Sequence, residues 1–149
     1  MVWGGFSSQG TTNLAIMPGS QNSSKHIQTL WDYLIPFVEE CHAGDWNLQQ
    51  DGASVHRSHE TQGWLAANEI DVLEWPAKSP DLNPIENLWG IMARRVYKGC
   101  RQSQSVEELE ECVMETWFDL SSQYLTKLVK SMPRRVGEVI RMQGRAPKY

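Results

Sequence analysis

Two acidic residues within the stretch from Gln49 to Trp89 constrain this chain more than any other feature. Asp51 follows the short apolar run Trp46-Asn47-Leu48, so we predict that it lies at the end of a strand. Glu86 follows Asn83-Pro84, an N-cap residue and a proline that suits the first helical position. Carboxylates at a strand end and at a helix start can meet at one point, and Mg²⁺ prefers such oxygen ligands. The stretch therefore favours an α/β fold with a site for metal-assisted phosphoryl chemistry.

Each of these residues also has an ordinary structural interpretation. Glu86 stands three residues after Asn83, where the glutamate of a capping box reaches back to the cap N–H, and the local pattern alone favours this role. Asp51 precedes a glycine, as acidic turn residues commonly do. His56 and His59 are three residues apart, but no third soft ligand lies nearby to complete a Zn²⁺ site. We interpret His59 as a solvated residue at the start of a helix and leave the role of His56 open.

The hydrophobic pattern predicts strands that alternate with helices. We predict strands at residues 2–7, 11–17, 46–50 and 70–75, the first two forming a hairpin, and helices at 25–41, 58–68, from 84, from 105, and through 125–143. In the first helix the apolar spacing includes Trp31. Pro36 is expected to kink or shift that helix, and Pro133 to interrupt the last one. The order predicts a mixed sheet flanked by helices, with a helical C-terminal extension.

Composition and charge narrow the function classes. The 149 residues suffice for one domain, and no apolar run approaches the ~20 residues of a membrane helix. The N-terminus lacks the charged and apolar regions of a secretory signal, so we expect none. Three separated cysteines indicate neither a disulfide framework nor a zinc site.

The charge is distributed unevenly along the chain. Residues 1–90 carry 3 basic and 11 acidic side chains, whereas residues 91–149 carry 11 and 7. The acidic part suits a cation site, and the basic part suits phosphate contacts, although a pI of 5.5 argues against strong nucleic-acid binding by the chain alone. Arg94, Arg95, Lys98 and Arg101 follow the Glu86 helix. Phosphate contact and an exposed helix end that complements the macrodipole explain them about equally well.

The whole chain resembles the catalytic domain of Tc/mariner transposases, the DDE enzymes that cut and paste DNA transposons. Between Asp51 and Glu86 lie 34 residues, the spacing of the branch whose third metal ligand is Glu. The shared motifs are Val2-Trp3-Gly4, Gln49-Gln50-Asp51 with His56, Trp75-Pro76, Ser79 to Trp89, Ser131 to Arg135, and the ending Pro147-Lys148-Tyr149.

This resemblance implies an RNase H-like fold with sheet order 3-2-1-4-5. It implies that Asp51 and Glu86 are the second and third ligands of two Mg²⁺ or Mn²⁺ ions, that His56 lies near the site, and that Asp81 and Asn83 shape the loop under Glu86. The implied reaction is phosphodiester cleavage and strand transfer, with water or a DNA 3′-hydroxyl as the nucleophile. The implied partners are transposon ends, target DNA and further copies of the intact protein, in the nucleus and without a membrane.

The chain departs from the family pattern at its start. The first catalytic Asp of the family lies on strand 1, upstream of the Val-Trp-Gly strand in which this sequence begins, and position 52, often Asn, is Gly. We therefore expect residues 1–149 to form a single partial catalytic domain without the central strand 1 and without the N-terminal helix-turn-helix domains, inactive in transposition alone. One alternative is a non-catalytic DNA-binding or protein-interaction module that uses residues 94–101 and Arg134-Arg135. The other is a decayed reading frame without function.

Overall fold

The structure, a computed structural model, describes residues 1–42, 44, 46–75, 79, 82–98 and 103–143. These residues belong to two compact units. The first unit comprises Met1–Gly5 and Thr12–Ser79, and the second comprises Phe6–Thr11 and Pro80–Tyr149. None of the helices that the structure describes has the length and the apolar character needed to span a membrane.

The predicted N-terminal hairpin is confirmed, with shorter strands than expected. Strand β1 (Val2–Trp3) pairs antiparallel with β2 (Ala15–Ile16), so that Val2 lies opposite Ile16. The ladder stops early because the N–H of Gly5 donates to the hydroxyl of Thr12 at 2.9 Å. Within the second unit, a bridge between Phe6 and Thr11 and a bond from Ser7 N–H to Gly10 C=O (2.9 Å) close the hairpin turn.

The two later predicted strands are reduced to one parallel bridge between Leu48 and Val72. Leu48 N–H donates to Asp71 C=O at 2.7 Å, and Leu73 N–H donates to Leu48 C=O at 2.9 Å. Isolated two-strand pairs are marginal, and neither segment has a further ladder partner among the described residues. In the implied sheet order 3-2-1-4-5, the hairpin corresponds to the pairing of strands 2 and 3. The bridge corresponds to the pairing of strands 4 and 5.

The first helical region consists of three consecutive segments, namely α1 (Ser23–Thr29), a π-helical turn (Leu30–Leu34) and α2 (Ile35–Cys41). In the π-helical turn Ile35 N–H bonds to Leu30 C=O, five residues back, directly before Pro36, which has no N–H to donate. The expected shift at Pro36 is thus confirmed. Trp31, which the apolar spacing of this helix includes, is 53% exposed, whereas Leu30, Leu34 and Val38 are buried.

The core of the first unit joins these segments to α3 (His59–Ala67). It consists of the buried apolar side chains of Leu30, Leu34, Val38, Leu65 and Ile70. Several partly buried tryptophans pack against this core. Ser58 accepts a hydrogen bond from Thr61 N–H and thereby caps α3, which begins where the sequence predicted a helix. Ser24 of α1 donates to Glu60 of α3 at 2.7 Å.

The second unit contains α4 (Ile85–Val96), α5 (Val106–Phe118) and α6 (Ser122–Arg141). The buried positions of α4 are Leu88, Met92 and Val96, and Trp89 stacks on the fully buried Trp117 of α5 with ring centroids 5.4 Å apart. Ser105 accepts from Glu108 N–H at 3.1 Å, which confirms the predicted cap of α5.

Two predictions about helix boundaries were wrong. Pro84, rather than Asn83, occupies the cap position of α4, and no side-chain cap bond forms there. Helix α6 continues through Pro133 without interruption. Proline removes the bond to the carbonyl of Val129, but Val129 and Pro133 are both exposed, so water can satisfy that carbonyl.

Candidate active site

The carboxylate of Asp51 lies three residues after the Leu48 bridge and is held through one of its two oxygens. Its Oδ1 accepts from Ala53 N–H at 3.0 Å, which forms an Asx turn, and lies 2.8 Å from Nδ1 of His56. The Asp51 side chain is 61% exposed, and no hydrogen bond to Oδ2 is present in the described part of the chain. One oxygen therefore fixes the orientation while the other faces solvent.

The hydrogen bonds define the tautomer of His56. Nδ1 also lies 3.1 Å from the backbone carbonyl of Asp51, so both of its neighbours are oxygens that only accept. Nδ1 must therefore carry the proton and donate it to Asp51. The structure thus places His56 directly against Asp51, whereas His59 is exposed at the start of α3.

The sequence analysis missed His26. This residue of α1 is only 5% exposed, and its ring lies against that of His56 with centroids 4.5 Å apart and planes at 39°. Its Nε2 is buried and has no hydrogen-bond partner among the described residues. The available signal was periodicity, since His26 precedes Leu30, Leu34 and Val38 at intervals of four residues, all of them buried.

Burial keeps His26 neutral. Desolvation, and secondarily the adjacent His56, lowers the pKa of His26 from 6.5 to about 4. The neighbouring Gln50 side chain and the charge of Asp51 act in the opposite direction with smaller effect on the pKa of His26. At neutral pH the uncharged His26 ring therefore supports His56, which in turn holds Asp51.

Glu86 lies in the first turn of α4, in the second unit. Its backbone N–H donates to Asn83 C=O at 3.2 Å, its side chain is exposed, and its carboxylate accepts no hydrogen bond within the described ranges. The capping-box role that the local pattern favoured is therefore not observed there. The N-terminus of a helix stabilises a negative charge, which suits an ionised carboxylate at this position. Asp81, the other predicted loop residue, lies outside the described residues.

The predicted basic residues are exposed where the structure describes them. Arg94, Arg95 and Lys98 lie at the C-terminal end of α4, and Arg101 lies outside the described residues. Arg134 is exposed and forms an i,i+4 ion pair with Glu138 at 2.9 Å.

Arg135 differs from these cations, because it is 7% exposed and donates hydrogen bonds inside the second unit. The expectation that the Arg134-Arg135 pair forms a DNA-binding surface was therefore wrong for Arg135. A buried guanidinium that is engaged within the protein is not available to phosphates.

The donor set fits a hard divalent cation only in part. Asp51 and Glu86 both offer exposed carboxylate oxygens, the ligands that Mg²⁺ and Mn²⁺ prefer. Among the described residues, however, no group of three or more His, Cys, Asp or Glu side chains could hold a metal ion. The described residues thus supply one carboxylate in each unit.

Comparisons with known proteins identify the relatives of this chain. A family model described as DDE superfamily endonuclease matches residues 1–110. The transposable element Tc3 transposase of Caenorhabditis elegans is 36% identical over 149 residues, which are 100% of this chain and 45% of that protein. The Tc1 transposase of the same organism is 31% identical over 149 residues, again all of this chain and 54% of that protein. The chain therefore spans about half the length of these curated relatives.

Solved structures agree on the fold. A structure of the Mos1 transposase catalytic domain with Raltegravir and Mg matches with a TM-score of 0.88 at 16% identity, covering 99% of this chain and 76% of that one. A Mos1 paired-end complex with the left transposon end matches with a TM-score of 0.88 at 17% identity, covering 99% and 44%. The predicted RNase H-like fold and the resemblance to Tc/mariner transposases are both confirmed.

Proposed function

This chain belongs to the DDE superfamily endonuclease family, and we propose that it supplies Asp51 and Glu86 as metal ligands for DNA cleavage and strand transfer in transposition. The observation that carries the proposal is the geometry of Asp51. A protein that used this aspartate only as a turn residue would need the Ala53 contact alone. Here His56 adds a second contact to the same oxygen, at 2.8 Å, and most of the side chain stays exposed.

The cofactor of the proposed site is Mg²⁺ or Mn²⁺, with two ions in the complete site. When bound, such a pair would stabilise the attacking and leaving oxygens of an in-line displacement at a phosphodiester. The residues of this chain determine the orientation and the charge of the two carboxylates. The Asx turn and His56 set the direction of the Asp51 carboxylate, and the α4 terminus favours the ionised form of Glu86. Solved Mos1 structures with Mg and with Mn support this choice of ion.

The partners follow from the same proposal. The substrates are transposon ends and target DNA, and the titles of the Mos1 paired-end and strand transfer complexes support this assignment. A homo-oligomer of the intact protein would hold two ends together, and the nucleus is the compartment in which such DNA is available. We propose that Asp51 and Glu86 form only part of the ligand set of the complete site, since the described residues contain no group of three potential metal ligands.

A Mn²⁺ titration followed by NMR tests the proposed ligands directly. Paramagnetic Mn²⁺ broadens the resonances of nuclei near its binding site, so the amides around Asp51 and around Glu86 are expected to broaden first. Asp51→Asn should abolish the broadening around residue 51 because it removes the anionic ligand. Asp71→Asn is the matched control, since Asp71 is an exposed acid of the same unit whose known contact is made by its backbone carbonyl.

Two outcomes would contradict the proposal. One is broadening that spreads over all exposed acidic residues alike. The other is equal broadening in Asp51→Asn and Asp71→Asn. Specific loss of the broadening around residue 51 in Asp51→Asn, with wild-type broadening in Asp71→Asn, would support the proposed ligand role of Asp51.

A second candidate function is DNA binding that does not depend on the metal ligands. The observation in its favour is the exposure of basic side chains on two helices. Those of α6 recur at helical spacing on one face. The set is Arg94 and Arg95 on α4, Lys98 just beyond the end of α4, and Lys127, Lys130, Arg134 and Arg141 on α6. Neutralisation of phosphates by such a surface releases counterions, which makes the affinity fall steeply with salt.

Fluorescence anisotropy with a labelled DNA duplex separates the two candidates. Binding that weakens with salt, is unchanged in Asp51→Asn and is lost in a Lys127→Gln, Lys130→Gln, Arg134→Gln triple variant would favour the binding module. Binding that requires Asp51 and divalent metal would favour the nuclease.

A further inference from the structure

Arg135 occupies an unusual position for a cation, and the second unit holds it by specific contacts. It is 7% exposed, its Nε donates to the Ser131 hydroxyl at 2.9 Å, and its Nη2 donates to Oδ1 of Asn87 at 2.8 Å. Ser131 in turn donates to Leu128 C=O at 2.6 Å, which fixes the hydroxyl as an acceptor for the guanidinium. Arginine stays charged in proteins, so its burial is tolerated only where its donors find such partners.

The contact with Asn87 links two distant parts of the sequence at the start of α4. Asn87 is 48 residues from Arg135 and directly follows Glu86. The amides of Glu86 and Asn87 bond back to the carbonyls of Asn83 and Pro84, both at 3.2 Å, so these residues form the first helical turn. This turn has no side-chain cap. A helix start without a side-chain cap frays more easily, and a tertiary contact such as that between Arg135 and Asn87 opposes the fraying.

Helix electrostatics do not explain the position of Arg135. A helix N-terminus carries partial positive charge and favours anions, so a buried cation there is unfavourable for the helix alone. The hydrogen bonds that Arg135 donates to Ser131 and Asn87 account for its position instead. A rigid guanidinium with several donors also holds a backbone segment in a defined place better than a lysine could.

The geometry points to Arg135 as a positioning residue, which fixes the first turn of α4 through Asn87 and thereby the backbone that presents Glu86. The inference rests on the proposed function in one respect, namely that Glu86 is a metal ligand. It does not require any contact between Arg135 and DNA, and it assigns to this arginine a role different from that of its exposed neighbour Arg134.

Asn87→Ala tests the contact with little risk to the fold, because Asn87 is exposed. Alanine has the higher helix propensity, so propensity alone predicts slower amide exchange in the first turn of α4. Loss of the Arg135 contact predicts the opposite. A hydrogen bond to a charged group corresponds to roughly a tenfold or larger change in local opening, so we expect amide exchange at Glu86 and Asn87 to become about ten times faster.

Four comparisons make the exchange experiment specific. The amide of Met92, deeper in α4, should keep its wild-type rate, because only the first turn loosens. Asn87→Asp retains an oxygen acceptor for Nη2 and should keep wild-type exchange at Glu86. Arg135→Lys should reproduce the Asn87→Ala result, whereas Arg134→Ala, its exposed neighbour, should not. Wild-type exchange in Asn87→Ala, or a uniform increase along α4, would overturn the inference.

Mn²⁺ broadening then connects position to ligand function. In Asn87→Ala, more Mn²⁺ should be needed to broaden the Glu86 resonances, about threefold or more, while those around Asp51 respond as in the wild type. Unchanged broadening at Glu86 despite faster exchange would reduce Arg135 to a purely structural residue and overturn the positioning role. If Mn²⁺ does not broaden Glu86 in the wild-type protein, the proposed function fails, and the exchange rates still decide whether Arg135 fixes the turn.

Discussion

Acidification is expected to destabilise the first unit through His26, and His26→Phe is expected to remove that effect. In the folded protein burial and His56 lower the pKa of His26 from 6.5 to about 4. In the unfolded chain the ordinary value applies. Between these two values the unfolded chain binds a proton that the folded protein excludes. The free energy of unfolding therefore rises as the pH increases through this window. The contribution of the neutral, buried His26 decreases as the pH falls from 6.5 towards 4.

The magnitude follows from the two pKa values. At pH 5 the unfolded His26 is almost fully protonated and the folded one almost fully neutral, so stability is lower than at pH 7.5 by about 2 kcal/mol. Below pH 4 the loss approaches roughly 3 kcal/mol. Either value is a large part of the stability of an ordinary domain, which is about 5–15 kcal/mol. Phenylalanine has a similar shape and does not titrate, so it preserves the packing against His56 and cannot bind the proton.

Urea unfolding at pH 7.5, 6.5, 5.5 and 5.0 measures this effect in the wild type, in His26→Phe and in His59→Phe. His59 is the matched control because it is exposed at the start of α3. Acidic side chains titrate in all three proteins, so they cancel in the comparison. We expect the wild type and His59→Phe to lose about 2 kcal/mol more than His26→Phe between pH 7.5 and pH 5.

Parallel pH profiles for all three proteins would refute the reasoning. A direct check is the NMR titration of the histidine rings, in which His26 should remain neutral at pH 5. A midpoint for His26 near 6.5 would mean that its ring is hydrated in solution, and the proposed support of His56 by a neutral buried ring would fail with it. Coincident transitions by circular dichroism and tryptophan fluorescence are needed before one free energy is assigned to each protein.

Three substitutions test the packing and the helix ends by urea unfolding. Trp117→Ala removes a fully buried ring that stacks on Trp89 and should cost about 3–5 kcal/mol, whereas Phe118→Ala, at an exposed neighbour, should cost less than about 0.5 kcal/mol; equal losses would contradict the assigned core. Ser105→Ala should cost about 1 kcal/mol by removing the acceptor for Glu108 N–H, and an unchanged midpoint would exclude a capping role. Gly63→Ala should stabilise α3 by about 0.5–1 kcal/mol, since an added Cβ meets nothing within 4 Å, and destabilisation would reveal a hidden contact.

Features encoded by neighbouring residues could be predicted from the sequence. The caps at Ser58 and Ser105 are short-range hydrogen bonds, and the inward stripe of Leu88, Met92 and Val96 follows directly from helical periodicity. Pro36 predicted a change in its helix for a local reason, because proline has no backbone N–H to donate. The resemblance supplied the fold and the candidate ligands, because its motifs surround Asp51 and Glu86.

Errors arose where tertiary structure or solvent decides. Trp31 shares the apolar spacing of its helix but is 53% exposed, since spacing alone does not determine how much of an apolar stripe the core covers. Pro133 does not break α6, because it lies on the exposed side where water replaces the lost partner. His26 looked like an ordinary polar helix residue, and only the fold shows that its ring is buried against His56.

The two candidate ligands depend on supports of different chemistry. Asp51 is held through its side chain, by His56 and behind it by the neutral His26 ring, whereas Glu86 is presented by a helical turn that Arg135 fixes through Asn87. His26 lies 30 residues from His56 in the sequence, Arg135 lies 48 residues from Asn87, and no described residue belongs to both supports. Acid should therefore loosen Asp51 without changing exchange at Glu86, and Asn87→Ala should loosen Glu86 without changing the titration of His26. The shared motifs contain both carboxylates together with His56, Asn87 and Arg135, whereas the buried His26 ring lies outside every motif and is identified as a support only by the structure.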